Sequence, residues 1–163
     1  MSTTAKIIEI ADAIVGEINV HQWRQQIVAG RMFTRKAKIA PEPGEKVKAL
    51  DCVRVRVRPT TRLNTKIARG HLTHDHGFLI GIDKLVGVEE DGEVCQQEVD
   101  DLILLVEEIE NFFNDFHAIA GLSYVAVPTE IQCPEVYEFD ALKVEHIFRS
   151  ILTITVQTGQ SAT

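Results

Sequence analysis

The sequence predicts an α+β fold: a mostly antiparallel or mixed β-sheet with two amphipathic helices packed on one face. Three observations carry the prediction. Between Val94 and Phe116, the residues Val99, Leu102, Ile103, Val106, Ile109, Phe113 and Phe116 recur at offsets of three and four. Leu105 and Phe112 flank them, so at 3.6 residues per turn they form one broad apolar stripe. The segments on either side alternate with period two, as half-buried strands do. The strands come in runs, without the strand–helix–strand alternation that builds a parallel sheet.

Taken in order, Ile7, Ile10, Ala11, Ile14, Val15 and Ile18 keep helical spacing, with Lys6, Glu9, Asp12 and Glu17 turned away. A first helix therefore runs to about residue 19, with an N-cap expected in the cluster Ser2 to Thr4. Trp23 is expected to clamp the end of that helix. Phe33 to Ile39 reads as a strand stopped by Pro41, Pro43 and Gly44. In Cys52 to Arg58, Val53, Val55 and Val57 point one way and Arg54, Arg56 and Arg58 the other, with Pro59 closing the strand. A polar, basic segment from Thr60 to Arg69 precedes the strand Gly77 to Asp83, where Phe78, Ile80 and Ile82 share a face. Val86 to Val94 is a loop into the long helix.

In that helix, Asp100, Asp101, Glu107, Glu108, Asn111 and Asn114 form the polar arc. Leu104 sits in the middle of the arc, where contact with water favours no leucine. Leu122 to Val127 reads as a short strand broken by Pro128. After an acidic loop comes a final strand, His146 to Gln157, apolar on both faces and so expected inside the sheet. Residues 158–163 read as a flexible tail. The predicted order is helix, three strands, helix, two strands.

A chain of 163 residues fits a single domain, residues 1–163, with a sizeable core. It contains no run of about 18 apolar residues, so no membrane span is expected. Nor does it open on a basic region followed by an apolar run, so no secretion signal is expected. Cys52, Cys95 and Cys133 are odd in number and far apart, which fits reduced thiols better than a disulfide framework. A net charge of −7 argues against a generally basic nucleic-acid coat.

The catalytic candidate is the cluster His71, His74, Asp75 and His76, in which three imidazoles could serve a small metal-dependent hydrolase. Its HxxHxH spacing lacks the helical i, i+4 pair of zinc proteases. No GxSxG, P-loop or GxGxxG is present, and His117 and His146 have no recognisable nucleophile placed with them. The sequence therefore predicts no enzyme, no cofactor and no metal. The basic residues Arg54, Arg56, Arg58, Arg62, Lys66 and Arg69 offer contacts to a neighbouring subunit or partner, to phosphates, or simply to solvent. No aromatic residue interleaves them, which disfavours a single-strand stacking platform.

The succession of segments resembles the tail terminator (tail completion) proteins of long-tailed bacteriophages. The resemblance rests on the helix Ala5–Ile18, the strand Phe33–Ile39 ending in IAPEPG, VRVRVRP with its basic sequel, and GFLIGIDK. It continues through EVDDLILLVEEIENFF and IFRSILTITVQT, and so covers nearly the whole chain. It implies a small subunit of a homo-oligomeric ring, usually of six, that caps the tail tube and meets the head–tail connector or neck protein. Such a protein waits in the host cytoplasm and ends in the virion at the head–tail junction. DNA would pass its lumen without specific binding, and Leu104 with the six basic residues would serve as subunit or partner contacts.

Overall fold

The computed structural model describes residues 4–31, 52–115 and 118–161. Along them run α1 (Lys6–Val20), β1 (Ile27–Arg31), β2 (Val53–Ala68), β3 (His71–Leu85), α2 (Gln96–Asn114), β4 (Ala126–Glu135) and β5 (Ile147–Ser161). A π-helical turn, Ala141–Glu145, precedes β5, and His146 leaves it with a left-handed φ of 56°. The strands form one five-stranded sheet in the order β1-β2-β3-β5-β4. The β1–β2 pair is parallel and the other three are antiparallel. The fold is α+β, with a mixed sheet.

The register explains the layering. Val55 pairs with Ile82 and Val57 with Ile80 across β2 and β3, while Ile80 pairs with Leu152 and Phe78 with Ile154 across β3 and β5. These side chains share one face of the sheet and are buried, with α1 supplying Ile10, Ala11, Ile14 and Ile18 to the same core. From α2 come Val99, Leu102, Leu105, Val106, Ile109 and Phe113. Leu105 thus belongs to the core and Ile103 to its half-buried margin, a small rotation of the expected stripe. Leu104 remains on the solvent side, 45% exposed.

At the two ends of α1 one expectation fails and the other holds. Ala5, with no capping side chain, occupies the N-cap of α1, so Thr4 does not serve there, and Ser2 and Thr3 lie outside the described residues. Trp23 does clamp the other end: its indole Nε1 donates to the Ile18 carbonyl at 2.7 Å. Its ring meets Phe112 of α2 edge-on at 5.0 Å, tying the two helices together. The Asn19 amide both donates to and accepts from the backbone of Ala29 in β1, at 3.1 and 2.9 Å.

Several strand boundaries differ from expectation. The parallel strand Ile27–Arg31 had no alternation strong enough to reveal it, and the expected strand Phe33–Ile39 lies outside the described residues. Pro59 does not close β2. The strand absorbs it with a bulge between Pro59 and Thr61 and runs on to Ala68. The basic segment from Thr60 is therefore strand, and turns at Gly70 with a φ of 89° that favours glycine. β3 starts at His71, six residues before the expected Gly77.

In the second half, β4 begins at Ala126 and passes through both Pro128 and Pro134, so Pro128 does not end it. Such strands belong at a sheet edge, where a missing N–H costs least. The expected interior position of the last strand holds, with β5 lying between β3 and β4. The flexible tail does not begin at Thr158, which is buried in a strand that continues to Ser161.

Candidate functional site

The Pro59–Thr61 bulge divides the basic residues between two faces. Before it, Arg54, Arg56 and Arg58 stand opposite Asp83, Gly81 and Leu79, on the face turned away from the helices. After it, Arg62 stands opposite His76 and Lys66 opposite Leu72, on the helix side. Arg69 lies in the hairpin turn. Gly77 makes the bulge possible, because a Cβ there would run into the Thr61 side chain. Among the described residues, Arg54, Arg58, Arg62, Lys66 and Arg69 make no ion pair.

Arg56 differs. Its guanidinium lies over Gly81 and pairs with Asp83, and Arg149 Nε reaches the other oxygen of that carboxylate at 3.0 Å. Arg149 also approaches Glu138 at 3.6 Å. Asp83 is only 1% exposed, with both guanidiniums on its carboxylate. A buried carboxylate is tolerated when it is paired in this way, and leaving it unpaired is costly. The expectation that all three arginines are free for solvent or a partner therefore fails at Arg56. Asp83 and Arg149 fall on strand faces with polar alternation, but only the cross-strand register joins them.

The histidine cluster is also split. His74 and His76 share the helix-side face and are buried, whereas His71 occupies the opposite, exposed side of the register. Three converging imidazole ligands are thus not formed, and among the described residues no group of three or more metal-ligating side chains is assembled. His74 Nδ1 bonds Asn64 Oδ1. His76 Nε2 meets Thr158 Oγ1 at 3.2 Å.

The remaining nitrogens, His74 Nε2 and His76 Nδ1, are buried without a hydrogen-bond partner. Burial, then the nearby Arg62, His74 and Lys6 charges, push the His76 pKa down from 6.5 to about 4, against a smaller opposing pull from Asp75. Contacts and charges therefore keep His76 a neutral ring inside the sheet. Beside them, Lys6 lies 4.6 Å over the Tyr124 ring, and the Tyr124 hydroxyl donates to Glu9 Oε2 at 3.1 Å. Burial and that carboxylate raise the Tyr124 pKa. Residues 6, 9 and 124 have no local sequence signal linking them, since only the fold brings them together.

The solvent side of α2 has a different character. Asp100 and Asp101 accept from Gln96 and Gln97 at 2.8 and 3.1 Å, and Glu108 pairs with Arg24 at 3.2 Å. Burial, with the neighbouring Glu107 carboxylate, raises the Glu110 pKa. Leu104 projects from this acidic surface. No protein-family model and no curated protein sequence matches the chain. What the geometry offers is two chemically distinct surfaces with uncommitted groups, one basic on the sheet and one acidic around Leu104.

Proposed function

We propose that this chain is a structural virion protein of a long-tailed bacteriophage, acting at the head–tail junction. In this reading its subunits close as a ring, six being the expected number, on the end of the tail tube. The ring stops tube polymerisation and presents a surface to the head–tail connector. The reading assigns the chain no catalytic residue and no cofactor.

One observation supports it above the rest: helix, three strands, helix and two strands, with both helices on one face of a mixed sheet. The likeness to tail terminators rests on the same order, but its first strand, Phe33–Ile39, lies outside the described residues and the first described strand is Ile27–Arg31. Uncommitted cations on β2 and the exposed Leu104 of α2 supply material for contacts between subunits and with partners. The net charge of −7 makes a ring of these subunits acidic overall, which lets DNA pass without adhering.

Locating the chain in purified particles by electron microscopy with a tagged subunit tests the reading. The expected result is a ring at the head-proximal end of the tube, and tubes of uncontrolled length when the chain is missing. Density between connector and tube, with normal tube length in its absence, identifies a neck component instead. A position away from the junction refutes both.

A further inference from the structure

Charge is segregated along this chain to an unusual degree. Between Lys84 and Lys143 there is no lysine or arginine, while fifteen of the 24 acidic residues fall there. α2 alone has six acids and no base, and β2 with its turn has six bases and no acid. The fold places these two elements on different sides. The α2 helix packs on the apolar face of the sheet, whereas Arg54 and Arg58 lie on the opposite face. Within one molecule the two surfaces therefore cannot neutralise each other.

The acidic surface also carries an exposed apolar residue: Leu104 stands 45% exposed among the acids of α2. A leucine ringed by charge of one sign gains little in water, and it gains most when a surface of the opposite sign covers it.

We infer that the solvent side of α2 in one copy docks on the outer face of β2 in the next, the α2 carboxylates around Leu104 meeting Arg54 and Arg58. Two different patches make this a heterologous contact, which repeats around a ring or along a filament and does not stop at a two-fold dimer. A second copy is favoured over nucleic acid because the complementary acidic surface belongs to the same chain. The basic strip also lacks the aromatic side chains that stack bases. The contact rests on the ring reading proposed above and names the surfaces that would form it.

Sedimentation of the purified full-length chain up to about 1 mM protein, at about 0.05 M and about 0.5 M salt, tests the contact. The expected result is self-association past a dimer at low salt, lost at high salt. Arg58→Glu and Glu107→Arg, both at exposed positions, are each expected to weaken it at least about ten-fold while circular dichroism stays unchanged. The double variant Arg58→Glu/Glu107→Arg is expected to recover it, and Leu104→Ser to weaken it at low salt.

A wild-type chain that stays monomeric throughout overturns the inference, as does association indifferent to either reversal or unrecovered in the double variant. Arg58-dependent binding of a duplex DNA oligonucleotide by a monomeric chain overturns it in favour of nucleic acid. These failures are separable from failure of the virion reading, because they leave the position of the chain in the particle untouched.

Discussion

The two halves of the β2–β3 ladder, on either side of the Pro59–Thr61 bulge, solve the same problem with different chemistry. In the first half, Val53, Val55 and Val57 and their partners Ile80 and Ile82 fill the space beneath the helices. Beyond the bulge, the same face carries Arg62, Asn64 and Lys66 opposite His76, His74 and Leu72. Burial continues there at His74 and His76, but through hydrogen bonds to Asn64 and Thr158. One half is held by surface removed from water, an interaction largely indifferent to pH. The other is held by polar groups whose state depends on protons.

The sharpest way to break that contrast is a charge in the first half. Val55→Asp puts an unpaired carboxylate at a site 1% exposed, with an expected loss of more than about 4 kcal/mol. Chemical denaturation should find the variant unfolded in buffer. On the other side of the same strand, Arg56→Ala removes one of the two guanidiniums around Asp83. An expected cost of about 1.5–3 kcal/mol leaves the chain folded with a lower denaturation midpoint. An unchanged midpoint would mean that Arg149 alone suffices.

Gly77 joins the halves, and Gly77→Ala drives a methyl into Thr61. The expected cost is about 1–3 kcal/mol, recovered in part by Thr61→Ala or Thr61→Gly. The smallest effect belongs to the second half. His76 is protonated near 6.5 when unfolded but only near about 4 when folded, so the unfolded chain holds the extra proton between those values. The stability contributed by neutral His76 is complete above 6.5. It is lost as pH falls towards 4, at no more than about 1.4 kcal/mol per pH unit. His76→Gln should flatten that slope in denaturation curves measured across the interval. An identical slope in both proteins would dissociate His76 from the acid response.

The same contrast sets how much was legible in the sequence. Where valine alternates with arginine, pattern and register coincide, and the faces of Val53 to Arg58 follow from the residues alone. Leu104 was legible for the same reason, since helical phase needs only local spacing. Past Pro59 the alternation is polar on both sides, and a proline and a bulge hide the continuation, so strand looks like loop. Pro128 misled in the same way, because a proline at an edge costs a strand little. The partnership of Asp83 with Arg56 and Arg149, and of Tyr124 with Glu9 and Lys6, depends on which strands and loops become neighbours. Periodicity carries no information about that.

Both margins of the described sheet are blunted against further strands. On β1, the central residue Ala29 has its N–H and carbonyl taken by the Asn19 side chain, which occupies them as a neighbouring strand would. On β4, Pro128 and Pro134 lack donors, and register shifts interrupt the ladder. Along these described edges, zipping backbone to backbone, the route that leads towards fibrils, is hindered. Joining through side chains that meet over faces is left open, and there a few substitutions can retune partner and strength without rebuilding the sheet.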